Sequence, residues 1–186
     1  MKSIVISVFL LLLFSGKGQD NRVFENDIRN VFLFSNAEWM GDFQNYVNID
    51  DGIIQNGKIL VEISSSADTV KMRNSFINQQ GIATDYTGYS KMLVRGNSII
   101  NLDDSGIDEN TGNEITDYKY WGRILDNHVY IHESYREVFP DGQFEYRSNS
   151  VHYYLKSSRE VIQLAEVWVN DSLLVFAGTI LKRQEE

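Results

Sequence analysis

From Glu38 onward, turn signals recur at intervals that suit strands and leave no room for helices between them. They are Asp51-Gly52, Asn56-Gly57, Arg95-Gly96-Asn97, Asp126-Asn127, Pro140-Asp141-Gly142, Ser157-Ser158 and Asn170-Asp171. Between them lie runs rich in Val, Ile, Tyr, Phe and Thr, the residues that fit a pleated, half-buried surface. About ten strands are expected, at 38–47, 58–64, 70–77, 85–94, 98–102, 115–125, 128–139, 143–155, 159–169 and 172–182. Tight turns make successive strands antiparallel, and no segment is long enough for the helical crossover that a parallel sheet requires. Ten meandering strands in one layer would leave two open edges, and closure into a barrel removes both. The expected fold class is therefore all-β: a ten-stranded antiparallel meander barrel. A short N-terminal helix at 20–34 precedes it, because Val23, Phe24, Ile28, Val31 and Phe32 recur near helical spacing behind Asp20 or Asn21 as N-cap.

The first eighteen residues follow another pattern. Lys2 precedes an apolar run from Ile4 to Phe14 broken only by Ser7, and Gly16 and Gly18 flank a cut before Gln19. This is the charged head, apolar core and small-residue junction of a secretory leader, resembling those of Gram-negative bacteria. As a helix the run spans about 16 Å, short of the ~30 Å hydrocarbon slab, so an integral membrane anchor is not expected. Residues 1–18 are read as a signal peptide, residues 19–186 as one domain, and the location as periplasmic or secreted. The remaining 168 residues can bury a sizeable core without staples, which suits a chain with no Cys. That absence excludes disulfides, thiolate zinc sites and thiol catalysis. The domain carries fifteen basic and twenty-six acidic residues, and a net charge of −11 repels phosphate backbones, so nucleic acid is not an expected partner.

Glu38-Trp39-Met40-Gly41-Asp42-Phe43 opens the first strand behind a short helix and ahead of a meander. In this the chain resembles the calycins: lipocalins, fatty-acid-binding proteins and nitrobindin-type barrels. The resemblance implies a lumen that holds a small hydrophobic or amphipathic molecule. Haem ligation of the nitrobindin kind does not carry over, since the last two strands contain no His, and the paired cysteines of many secreted lipocalins are absent.

Short turns fix register and thereby sort side chains onto two faces. Leu125 is expected opposite His128, Phe139 opposite Gln143 through a Gly142 bulge, Lys156 opposite Arg159, and Val169 opposite Ser172. Propagated, these pairs place Ile124, Val129, Ile131, Val151, Tyr153, Leu155, Ile162, Leu164, Trp168, Leu173, Val175, Ala177 and Leu181 on one face, taken as the interior. One row there reads Tyr120, Glu133, Asn149, Glu166, Val175, and the next Tyr118, Tyr135, Arg147, Trp168, Leu173. A buried carboxylate must pair, protonate or meet a ligand, and Arg147 is the expected partner of Glu133 and Glu166. The candidate ligand site is Tyr120, Glu133, Arg147, Asn149 and Glu166 for a polar head, with Tyr153, Ile162, Leu164 and Trp168 against an apolar body.

Other signals compete. If the opposite face were the interior, the site would be Trp121, Arg123, Tyr130, His132 and His152. His132 and His152 could begin a metal site, but no third ligand converges, and no metal is expected. Leu174, Phe176 and Ile180 on that face suggest a cover, with the helix at 20–34 as candidate. The acidic loop at 103–113 lacks EF-hand spacing and reads as a solvated hairpin loop. Glu133 and Glu166, two strands apart, fall near the spacing of a glycosidase pair. There is no nucleophile elbow, phosphate loop or metalloprotease helix. An outer-membrane barrel is disfavoured because charged residues interrupt both faces. The reading that results is an exported, non-enzymatic binding protein with no cofactor, holding a small amphipathic or hydrophobic molecule. The alternative is an envelope interaction module whose barrel is filled by its own side chains.

Overall fold

The computed structural model describes residues 27–47, 53–78, 80–102, 106–108 and 111–185; the leader expected at 1–18 lies outside them. The strands are β1 Glu38–Val47, β2 Ile53–Ser66, β3 Thr69–Ile77, β4 Ala83–Arg95, β5 Ser98–Asn101, β6 Glu114–Leu125, β7 His128–Val138, β8 Phe144–Ser157, β9 Glu160–Val169 and β10 Ser172–Arg183. Every neighbour is antiparallel, and β1 pairs with both β2 and β10, closing the barrel. The ten-stranded all-β meander expected from the turn spacing is the observed fold. Among the described residues no helix is long and apolar enough to cross a membrane.

Alternation along the strands decides what fills the barrel. Trp39, Val61, Val70, Met92, Ile124, Val129, Val161 and Leu181 face inward and are almost wholly buried. The helical piece is a single π turn, Arg29–Leu33, in which the Phe34 amide reaches back to the Arg29 carbonyl at 2.7 Å. Its start is satisfied by Asp27, whose carboxylate accepts from the Arg29 amide at 3.0 Å. The N-caps expected at Asp20 or Asn21 lie outside the described residues. The turn lies across one end of the barrel and buries Ile28, Phe32 and Leu33 completely. Phe32 meets the edge of Trp39 at 5.3 Å and the ring of Tyr153 at 4.7 Å. A fully buried side chain of that size contributes about 1.5–3 kcal/mol, so this plug is a main source of stability. Residues 28–34 therefore stop the lumen and do not lie over the outer face, the role expected for the helix.

Asn56-Gly57 is not a turn. It lies inside β2, where Gly57 pairs with Phe43. A Cβ there would sit 2.6 Å from the Ile77 carbonyl and 2.9 Å from the Phe43 ring, so the glycine serves close strand approach.

Register follows expectation at three of the four predicted turns. Leu125 faces His128, and Val169 faces Ser172. The Phe139 amide bonds the Gln143 carbonyl at 2.8 Å, with Gly142 at φ 82°. The exception joins β8 to β9. Ser157, not Lys156, closes that turn by pairing with Glu160, and a bulge then sets Leu155 opposite Val161. Relative to the expected Lys156–Arg159 pairing, β9 is displaced by one residue, and a one-residue slip exchanges the faces of a strand. A second bulge, between Leu173 and Val175, reverses the displacement, so Val175, Ala177 and Leu181 point inward as expected.

Candidate functional site

Tyr153 is the floor of the lumen. It is buried against Phe32, donates from its hydroxyl to Met72 Sδ at 3.4 Å, and accepts from Gln163 Nε2 at 3.3 Å. The contact with Met72 joins β8 to β3 across the barrel. Burial raises the Tyr153 phenol well above its ordinary value. Inward residues of this row are closed off: Tyr153 is 2% exposed, Gln163 7% and Thr179 9%.

One row farther from the plug the wall changes. Ile131, Val151, Ala165 and Ala177 face inward and yet are only half-buried, and the same holds for Val167 and Val175 beyond them. Ile131 and Val151 still touch the buried core, so the barrel is filled near the plug and more loosely packed above Tyr153.

A polar group surrounds this part of the lumen. Glu133 accepts from Asn149 Nδ2 at 2.6 Å through Oε1, and from the Tyr118 hydroxyl at 3.3 Å through Oε2. Asn101 Nδ2 donates to the Tyr118 hydroxyl at 2.9 Å and holds it in place. Tyr120, beside Glu133 on β6, keeps its hydroxyl buried without a partner, as do the side-chain carbonyls of Asn149 and of Asn74 on β3. Burial first, then the Glu133 carboxylate, raises both the Tyr118 and the Tyr120 phenols far above their ordinary range. Tyr118 stands 6.5 Å from Tyr120 and 6.3 Å from Tyr135, giving one side of it an aromatic wall.

Of the residues proposed from sequence, Tyr120, Glu133, Arg147, Asn149 and Tyr153 face the lumen. Arg147 does not reach Glu133. It pairs with Glu137 Oε2 at 2.5 Å and Glu145 Oε2 at 3.2 Å at the barrel mouth. Glu137, 1% exposed, also accepts from Thr111 Oγ1 at 3.0 Å and Asn113 Nδ2 at 2.6 Å, which ties the loop after β5 to the wall. Ile162, Leu164, Glu166 and Trp168 lie on the outer face because of the β9 displacement, and the residues that replace them inside are Val161, Gln163, Ala165 and Val167. Glu166 sits opposite Ser150 and accepts from Trp168 Nε1 at 3.2 Å. Glu133 and Glu166 therefore point to opposite sides of the wall and do not form a carboxylate pair. Arg147 and Trp168 still meet in an open groove of about 450 Å³ at the rim, with Tyr135 and Asn170.

Tyr118, Asn101, Asn74 and Glu137 were not in the sequence-derived site. Three of them were accessible to alternation: Tyr118 already stands in the inward row with Tyr135, Glu137 continues Glu133 and Tyr135 on β7, and Asn74 continues Val70 and Met72 on β3. Asn101 was hidden by the short β5, whose pairing with β6 is limited to Ser98–Arg123 and Ile99–Gly122.

The outer face carries all three histidines. His128 Nε2 and His152 Nδ1 form a hydrogen bond of 2.9 Å between nearly parallel rings. His132 Nδ1 bonds Ser150 Oγ at 3.0 Å. Among the described residues no three His, Asp or Glu side chains are grouped to hold a metal. In the acidic loop, Asp108 caps the turn by accepting from the Thr111 amide at 3.0 Å; Asp103, Asp104, Glu109 and Asn110 lie outside the described residues.

No family model and no curated protein matches the sequence. Among solved structures the chain is similar to a protein of unknown function from the DUF3598 family of Nostoc punctiforme, with a TM-score of 0.59 and 13% identity over 91% of this chain and 53% of that one. The chain thus spans about half the length of that protein. Weaker likenesses are to EF1p2_mFAP2b bound to DFHBI (TM-score 0.43, 10% identity, 86% of this chain and all of that one) and to a redesigned β-barrel (TM-score 0.39, 14% identity, 84% and 96%). At 13% identity the likeness to the first of these is one of fold alone.

Proposed function

We propose that the protein binds a small amphipathic or hydrophobic molecule in the more loosely packed half of its barrel, by burial and a few directed hydrogen bonds and without a covalent step. One observation carries this reading. Above Tyr153 the inward wall is apolar and only half-buried, while Tyr120, Asn149 and Asn74 hold buried polar atoms with no partner. Such atoms cost about 1–3 kcal/mol each when unsatisfied, which a bound molecule would recover. The apolar body of the ligand would lie on Ile131, Val151 and Ala165, and its polar end at Glu133 and Tyr120.

The leader read at residues 1–18 supports an exported, calycin-like carrier, periplasmic or secreted. Native mass spectrometry of protein purified from its own host tests the binding reading, with a retained mass released on denaturation as the expected result. A spectrum of bare protein, together with no uptake of apolar probes, would leave a filled barrel acting as an interaction module. Amino-terminal sequencing of the same material should start at Gln19 if the leader is cleaved as expected.

A further inference from the structure

We propose, resting on the lumen reading above, that the head group this barrel selects is a primary ammonium and not a carboxylate. The argument is the sign and the direction of the polar groups. Among the described inward-facing residues above Tyr153 the only cation is Arg147, and its guanidinium is held by Glu137 at 2.5 Å and Glu145 at 3.2 Å. Nothing positive is left to receive an anion. Glu133, farther inside, meets only the neutral donors Asn149 and Tyr118. Its carboxylate therefore has no cation beside it, and the mouth cluster of two carboxylates on one guanidinium adds no positive charge.

The unpartnered atoms point the same way. The side-chain carbonyls of Asn74 and Asn149 can only accept, and the Tyr120 hydroxyl can accept as well as donate. A ligand that satisfies them must bring hydrogens. An ammonium brings three, with a charge opposite to that of Glu133, into a partly desolvated site where such pairs strengthen. The rings of Tyr118, Tyr120 and Tyr135 add faces that attract a cation within about 6 Å of their centres. A carboxylate would instead face Glu133 and two carbonyl oxygens. The half-buried apolar wall at Ile131, Val151, Ala165 and Ala177 then takes an alkyl or aryl body, which makes the ligand class an amphipathic amine.

The test uses three probes that differ only in the head: dodecylamine, dodecanol and dodecanoic acid, titrated below micelle formation against the purified protein by calorimetry and native mass spectrometry. The expected order places the amine tightest, by about tenfold or more over the acid, the scale of one charge-assisted hydrogen bond. Glu133→Gln, nearly isosteric and still able to accept from Asn149, should abolish that preference and leave dodecanol binding in place. Tyr120→Phe gives a second reading should Glu133→Gln fold poorly, and it should weaken the amine more than the alcohol. Acid or alcohol binding as tightly as the amine would overturn the head-group assignment and leave the lumen reading standing. An amine preference that survives both substitutions would also overturn it, since the outer acidic surface would then be the binder. If none of the three probes binds, the lumen reading fails and this inference fails with it.

Discussion

Asn149 donates to Glu133 at 2.6 Å while the carbonyl oxygen of the same amide is buried with nothing to accept from. The two residues face each other across β7 and β8, so the bond is fixed by sheet register. An amide that spends its donor on a carboxylate and leaves its acceptor empty orients Glu133 at a local cost.

Removing that donor should therefore matter for stability as well as for binding. Asn149→Ala leaves Glu133 with Tyr118 alone, and a lost hydrogen bond to a charged group is worth about 1.5–3 kcal/mol, toward the low end where the lumen admits water. The measurement is the urea midpoint at constant slope. Asn149→Asp should be worse than Asn149→Ala, because it sets a second carboxylate against the first. The reverse order would mean that the side chain at position 149 does not face the Glu133 carboxylate.

At the barrel mouth, Arg147→Met should destabilise by about 3–5 kcal/mol, since it strands a buried carboxylate. Glu137 is 1% exposed and would keep only Thr111 and Asn113. Adding Glu137→Leu should recover much of the loss, because replacing both partners of a buried pair is far milder than removing one. Limited proteolysis separates the two variants in a second way. The double variant no longer ties Thr111 and Asn113 to the wall, so cleavage near 106–113 should accelerate in it even as global stability returns.

The strand count, antiparallel closure and three of four turn registers followed from turn chemistry, because Asp126-Asn127, Pro140-Asp141-Gly142 and Asn170-Asp171 each impose a definite hairpin. The inward placement of Glu133 and Asn149 came with them. Ser157-Ser158 imposes nothing comparable. Arg159 donates its amide to Ser157 Oγ at 3.3 Å, and Lys156 pairs with Glu160 at 3.0 Å, details no pattern announces. Nor could alternation correct the error. β9 presents Val161, Ala165 and Val167 on one side and Ile162, Leu164 and Trp168 on the other, so both faces are apolar and either would fit inside. The sites on β7 and β8 were legible because those strands differ between their faces.

Acid should weaken the fold through its outer face. Desolvation, aided by His152, lowers His128, and desolvation outweighs Glu166 in lowering His152. Folded values below the unfolded value near 6.5 mean that the unfolded chain takes up protons first as pH falls. The contribution is complete above about pH 6.5 and disappears as pH drops through the depressed folded values. Urea midpoints between pH 8 and pH 5 should fall, and the fall should be shallower in His128→Phe/His152→Phe, which keeps the ring packing against Tyr154. An unchanged slope in that variant would place the acid sensitivity among the carboxylates.

Alkali acts through the opposite sign. Tyr118, Tyr120 and Tyr153 are all raised, mainly by burial, so the unfolded chain loses these protons first and stability should decline above about pH 10. Of the ten tyrosines, these three should stay un-ionised until the barrel opens. The near-ultraviolet phenolate band should then rise in two stages, the second coinciding with loss of the far-ultraviolet β signal.

The displacement of β9 can be tested directly, because a chain without cysteine accepts single cysteines as clean reporters. Glu166→Cys and Val167→Cys are adjacent, yet the first should face solvent beside Ser150 and the second the lumen beside Asn149. A bulky charged maleimide should label position 166 quickly and position 167 slowly, and unfolding in urea should equalise the rates. The register propagated from Lys156 opposite Arg159 demands the opposite order, since it points Glu166 inward. Labelling faster at 167 than at 166 would restore the acidic pair of Glu133 and Glu166 and remove the basis for treating Glu133 as a carboxylate without a charged neighbour.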